Sequence, residues 1–307
     1  DSSYVYFFRN YVHGMRARSQ VSSRDVYVYN NVFANTKNCC SLGTEAGCRE
    51  AYAGCADESQ HFGTGQALDV SAYAAPPINV NIVNNLVLHA AESGLRVMTG
   101  HGPVSELSVI NNAIANTSNA NQEESDPPGS ISDLFDYSVA VQNSVPGFVF
   151  THNLVNSSRA ADIHYGGSAA SPYTIARWNT DGPAGVVTDA NVANNPGISG
   201  YVPASATSPL VNTGRTLSGP PDHDPSGGLP PNSSYADALH PSTDWPNAVV
   251  IANQSNFGSG WERGAFVYVT GQASSSTASN PQTATEETPA SSSAALQSSD
   301  ANEEAGS

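Results

Sequence analysis

One eight-residue pattern recurs along this chain and constrains its fold more than any other feature. An apolar residue is followed two places on by another, five places on by an Asn, and then by an apolar pair. The five clear copies run from Val5 to Val12, Val26 to Phe33, Val80 to Val87, Leu107 to Ile114 and Phe148 to Val155. Alternation with period two is the mark of a strand with one face turned inward. The inward residues are then Val5/Phe7, Val26/Val28, Val80/Ile82, Leu107/Val109 and Phe148/Phe150. One strand this short cannot bury its apolar face alone, but stacked copies can build a continuous core. The Asn stands where each copy changes direction, and its carboxamide both donates and accepts, so Asn10, Asn31, Asn85, Asn112 and Asn153 are expected to stack as a corner ladder. This pattern predicts an all-β, single-stranded parallel β-helix, a solenoid.

The spacing between corners refines the picture. Asn10 to Asn31 is 21 residues and Asn85 to Asn112 is 27, each right for one coil. The 54-residue step to Asn85 predicts a cysteine-bearing insertion at 37–60 and a further coil, and the 41-residue step to Asn153 a polar excursion at 119–129. A weaker copy spans Tyr173 to Asn179, and a faint one Val187 to Asn191. Between corners lies a second strand column, Ala67–Ser71, Gly94–Met98 and Ala161–Tyr165, whose outward residues are Asp69, Arg96 and His164. The segment Ser132–Tyr137 is expected to supply the rung between Arg96 and His164, bringing Asp133 or Asp136 to the same stripe. The solenoid is expected over residues 1–270, with an irregular closing region at 196–270 whose last strand is Ala265–Thr270. A Ser/Thr/Ala/Glu tail follows at 271–307, too polar to pack a core.

Composition narrows the partners. Charged residues make up 12% of the chain, about half the usual share, and the net charge is −16. Such a surface repels phosphate backbones, which excludes nucleic acid, and no apolar run is long enough for a transmembrane segment. The chain starts at Asp1 without Met or signal peptide, consistent with a processed mature end and equally with a piece of something longer. Cys39, Cys40, Cys48 and Cys55 fall in one window. Two local disulfides are expected there, with three pairings open, because adjacent cysteines suit a zinc site poorly. Sequons begin at Asn116, Asn156, Asn232 and Asn253. With the cysteines, they point to a secreted, extracellular or cell-surface glycoprotein.

The Asn corners, the Ser208-Pro209 to Gly214 segment and the closing Gly264-Ala265-Phe266 resemble the pectate-lyase-like superfamily of right-handed parallel β-helix repeat proteins. The resemblance covers roughly residues 1–270 and, with the right-handed crossover tendency, implies the hand of the solenoid. It implies no single activity, because the scaffold carries lyases, hydrolases and non-catalytic surface proteins. Asn179-Thr-Asp181-Gly182 is similar to a polygalacturonase signature, but no Asp-Asp pair accompanies it and Gly100-His101-Gly102 stands on the wrong side of it. Inverting hydrolysis needs two carboxyl groups flanking one bond, so the hydrolase branch is disfavoured. In a lyase-like reading Arg96 neutralises a substrate carboxylate, His164 is the base, and Asp69 or Asp136 orients a cation, calcium being the one cofactor such chemistry would use. Lys37 has no acidic partner nearby. Outward Tyr6, Phe8, Tyr27 and Tyr29 form an aromatic strip suited to sugar or protein, or to a covering loop. The sequence therefore favours a non-catalytic surface or filament component that contacts polysaccharide, itself or another surface protein. The alternative is a polysaccharide lyase-like enzyme.

Overall fold

The computed structural model describes residues 3–13, 19–34, 66–72, 75–90, 93–100, 102–117, 137–157, 161–167, 170, 172–221, 229 and 233–270. Three parallel sheets run along the molecule, each taking one strand from every coil in chain order. The first sheet holds β1 (Ser3–Phe8), β4 (Arg24–Tyr29), β7 (Ile78–Val83), β10 (Ser105–Ile110), β13 (Val149–Thr151) and β16 (Val187–Asp189). The second holds β2 (Tyr11–His13), β5 (Val32–Ala34), β8 (Leu86–Leu88), β11 (Ala113–Thr117) and β14 (Leu154–Ser157). In the third are β3 (Ser19–Val21), β6 (Leu68–Ser71), β9 (Leu95–Met98), β12 (Val139–Val141) and β15 (Ile163–Tyr165). This is a right-handed parallel β-helix: the repeat predicts the solenoid, and the resemblance with the crossover tendency its hand.

Every inward pair expected for the first sheet packs in one apolar core with Leu68/Val70, Leu95/Val97 and Ile163/Tyr165 of the third. The register stacks like on like, Val26 beside Val80 and Val80 beside Leu107. The apolar pair after each Asn forms the second sheet, and the pair is apolar because both faces of that sheet are covered. Phe33, Val87, Ile114 and Val155 point into the core, while Val32, Leu86, Ala113 and Leu154 meet Leu210, Leu239 and Phe266 outside.

The corner ladder is continuous. Asn Nδ2 donates to the Oδ1 of the next corner from Asn10 to Asn31, Asn31 to Asn85, Asn85 to Asn112, Asn112 to Asn153 and Asn153 to Asn191, at 2.9–3.2 Å. Each Oδ1 also accepts the backbone N–H of the preceding corner. The residue before each ladder Asn takes up the left-handed conformation: Arg9, Asn30, Asn84, Asn111, His152 and Ala190 have φ between 50° and 58°. Asn bears that conformation at lower cost than most residues, which accounts for the repeated Asn-Asn doublet. Of each doublet, the second amide builds the ladder and the first points outward.

Three expectations are corrected. Asn31 bonds directly to Asn85, so the 54-residue step is a single coil with an insertion and no further coil. The rung between Arg96 and His164 is β12, with Ala140 paired to both, and not Ser132–Tyr137. The copy at Tyr173–Asn179 is a helix, α1 (Ile175–Asp181). The Thr174 hydroxyl caps it by accepting the Arg177 N–H, and Ile175 and Trp178, one turn apart, fall on one face. Trp178 closes that end of the core among Phe148, Phe150, Tyr165 and Tyr173. The true last rung of the first sheet is the faint copy, β16, whose Asn191 is linked in turn to Asn179 of the helix at 2.9 Å.

After the last coil the chain returns along the outside of the first and second sheets. It contains two short antiparallel pairs, β17 (Ile198–Ser199) with β18 (Val202–Pro203), and β19 (Asp237–Leu239) with β20 (Ile251–Asn253). The strand expected at Ala265–Thr270 does not form; Phe266 makes one isolated parallel bridge to Leu239. The outward corner amides hold this return segment. Asn30 and Asn84 donate to the Tyr235 carbonyl, and Asn111 donates to the Arg215 carbonyl while accepting the Arg215 N–H.

Candidate functional site

With the first and second sheets covered, the outer face of the third sheet carries the polar residues that the repeat turns outward. The register aligns Gln20 with Asp69, Asp69 with Arg96, Arg96 with Ala140, and Ala140 with His164. Neighbouring strands are ~4.8 Å apart, so Asp69 and Arg96 meet directly, while Arg96 and His164 are separated by one strand bearing only a methyl group.

Arg96 and Asp69 form a fork-to-fork pair. Nε donates to Oδ1 at 3.2 Å and Nη2 to Oδ2 at 2.9 Å. Asp69 Oδ2 also accepts the Ser71 hydroxyl, whose oxygen accepts the Gln20 amide. Both charged side chains are buried, at 4% and 0% exposure. Two charges leave water together only when such geometry offsets their desolvation.

His164 is also buried, beside Tyr137 at 5.3 Å between ring centroids. Its Nδ1 has no hydrogen-bond partner among the described residues. Burial lowers its pKa, with a hydrogen bond to the Ala170 backbone pulling the other way, so the neutral ring is favoured. A neutral imidazole is the form a proton acceptor needs. Tyr137 carries no signal of its own in the sequence, because it precedes the β12 rung and belongs to no repeated position. The series Leu95-Arg-Val, Val139-Ala-Val and Ile163-His-Tyr contains the right alignment, but Ala140 carries no polar signal.

Of the lyase-like constellation, the structure brings Asp69 and Arg96 together and sets His164 two strands from Arg96, across Ala140. Asp136, Lys37, His101, the four cysteines and Asn232 lie outside the described residues. Asn116 is skipped where the β11–β14 register shifts, Asn156 is half-buried on β14, and Asn253 is exposed on β20. The Asn-Thr-Asp segment is structural: Asn179 closes the corner ladder, and Asp181 ends α1 exposed to solvent. The aromatic strip is no free surface. Tyr6 stacks on Tyr27 and Phe8 on Tyr29, and Leu217, Tyr235, Ala236 and Trp261 cover them. Tyr29 donates to the Ser233 carbonyl at 2.6 Å.

Among the described residues, no group of three or more His, Cys, Asp or Glu is arranged to hold a metal, and no helix is long and apolar enough to cross a membrane. Comparison with protein-family models, with curated proteins and with solved structures gives no match. The chain is placed by its own geometry alone, as a right-handed parallel β-helix with two sheets strapped by the returning chain and a polar, ion-paired face on the third.

Proposed function

We propose that the chain is a non-catalytic structural and binding β-helix of an extracellular surface or filament, glycosylated and in contact with polysaccharide or with other protein. The observation that carries this reading is the buried Arg96–Asp69 fork. A uronate lyase needs a cation free to meet the substrate carboxylate, and here Arg96 is engaged by a carboxylate of its own chain. Drawing it away would break a buried bidentate charge pair, a cost of about 3–5 kcal/mol. The clustered cysteines, the sequons and the exposed Asn253 support the secreted setting.

A second reading, a polysaccharide lyase-like enzyme, draws on one feature: neutral His164, its Nδ1 without a described partner, on the same face as Arg96. One experiment separates the two. The intact purified protein is incubated with pectate, alginate and glycosaminoglycans, with and without calcium, and the ultraviolet absorbance of an unsaturated product is followed. The structural reading expects none. Product formation that disappears in His164→Ala would replace it with the enzyme. Imaging of native material tests assembly and glycan occupancy; a solitary monomer without glycan contradicts the surface or filament role.

A further inference from the structure

The two ends of the solenoid differ. At the far end α1 takes the place of a rung: Trp178 is buried among the rings of the last coil, and Asn179 accepts the final amide of the ladder, from Asn191. The near end has no such closure among the described residues. There β1, β2 and β3 each have a neighbouring strand on one side only. Their inward residues Val5, Phe7, Val12 and Val21 are half-buried, whereas the residues stacked beneath them, Val26, Val28, Phe33 and Val70, are buried. A solenoid core cut across in this way is either capped or continued by another rung.

Asn10 distinguishes the two. From Asn31 onward, each ladder amide makes one bond back to the preceding rung: Asn31 to the Phe7 carbonyl, Asn85 to Val28, Asn112 to Ile82, Asn153 to Val109 and Asn191 to Phe150. In every case that carbonyl lies three residues before the preceding corner Asn. Each Oδ1 from Asn31 onward also accepts the N–H and the Nδ2 of the preceding corner. Asn10 has neither kind of bond. Its Nδ2 donates to the Phe8 carbonyl of its own strand and to Asn31, and its Oδ1 accepts no hydrogen bond among the described residues. The vacant positions are therefore those that one more parallel rung with its own corner Asn would fill.

A second copy of the chain cannot supply that rung. Joined head to tail it would present α1, which closes its far end. Joined end to end about a twofold axis it would run its strands antiparallel, out of register with the ladder. Residues 2–24 hold Arg9, Arg16, Arg18 and Arg24 and no acid, so two near ends would also oppose like charges. We propose that β1, β2 and β3 form an interior rung, on which a further coil of the same repeat, preceding them on the same polypeptide, stacks in parallel and donates to Asn10 Oδ1. This inference rests on the fold and not on the reading of the third-sheet face, so either can fail without the other.

The test begins with the polypeptide made by its source, sequenced from its N-terminus. The expected result is a copy of the pattern (two apolar residues two apart, Asn five places after the first, then an apolar pair) whose Asn lies 21 to 54 residues before Asn10, the span of the later corner steps. Hydrogen exchange on the 307-residue chain is the second measurement, with β1 and β2 amides expected to exchange faster than those of β4 and β5. Repeating residues 1–21 ahead of Asp1 reproduces the 21-residue step from Asn10 to Asn31. In that variant the β1 and β2 amides are expected to slow about tenfold, and Asn10→Ala within it to reverse the gain. A source polypeptide without such a copy overturns the proposal. So does equal exchange of the first and second rungs in the 307-residue chain, as a dimer through this end or a cover from the chain itself would give, or exchange unchanged by the added coil.

Discussion

Replacing Asn85 by Ala tests the corner ladder at its most connected point. Asn85 Oδ1 accepts the backbone N–H and Nδ2 of Asn31, and its Nδ2 donates to the Val28 and Val83 carbonyls and to Asn112 Oδ1. Some partners keep an alternative. Asn31 Nδ2 still reaches the Phe7 carbonyl, the Val83 carbonyl still accepts the Asn30 N–H, and Asn112 Oδ1 still accepts the residue 85 N–H. One does not fare so well: the Asn31 N–H loses its acceptor, while the Val28 carbonyl keeps the ladder bond from the Val83 N–H. At about 1–3 kcal/mol for that buried group left open and about 1 kcal/mol for the amide bonds lost, the substitution costs about 2–4 kcal/mol in all. Asn10→Ala is the control. Asn10 sits on the first described rung, gives up only contacts to the Phe8 carbonyl and Asn31 Oδ1, and should cost about 1 kcal/mol. Urea unfolding followed by far-UV circular dichroism gives the comparison. Hydrogen exchange at the Asn31 amide gives a local readout that does not depend on two-state unfolding, which solenoids often lack. Asn85→Asp separates chemistry from volume. It preserves the acceptor for Asn31 but turns a second oxygen toward the three acceptors that Nδ2 served. The folded state then favours the protonated acid, so stability should be low at pH 7 and recover toward acid pH. Equal costs at Asn85 and Asn10, or an Asp variant as stable as the parent at pH 7, would refute the ladder as a source of stability.

Three further outcomes follow from the same geometry. Asp69→Ala and Arg96→Ala should each destabilise by about 3–5 kcal/mol and the double variant by clearly less than their sum, as thermodynamic cycles in urea can measure. Glu262 holds its proton more tightly when folded, at about 7 against an ordinary 4.5; its stabilising share is full below pH 4.5 and is lost as pH rises through 7. Glu262→Gln should abolish that loss, up to about 3 kcal/mol, so the variant gains on the parent at pH 8 and not at pH 4. Asn84→Gly keeps the left-handed corner and loses only the bond to the Tyr235 carbonyl, whereas Asn84→Ala also pays about 1–2 kcal/mol for its φ of 53°. Ala should therefore be the less stable of the two, with faster proteolysis of the returning segment in both.

The corner Asn positions and the inward apolar pairs were legible in the sequence because the repeat that specifies them is local. Each coil must supply the same inward side chains and the same amide to match the coil beside it, so the pattern is written several times over. Single, unrepeated features were not legible. Tyr173–Asn179 alternates like a strand, yet Thr174 caps a helix there and Trp178 seals the core. Ala140 sits in the polar stripe without a polar group to reveal it. What covers Tyr27 and Tyr29 is chain from about 200 residues later, held by the outward amides of the same Asn doublets whose inward amides build the ladder. The periodic pattern specifies the solenoid and the stripe of Asp69, Arg96 and His164. That Arg96 is tied to Asp69, and that Glu262 is buried with one carboxyl oxygen unpartnered among the described residues, emerges from the folded chain. Pairing and burial of charge depend on which distant segments meet, and no local periodicity encodes that.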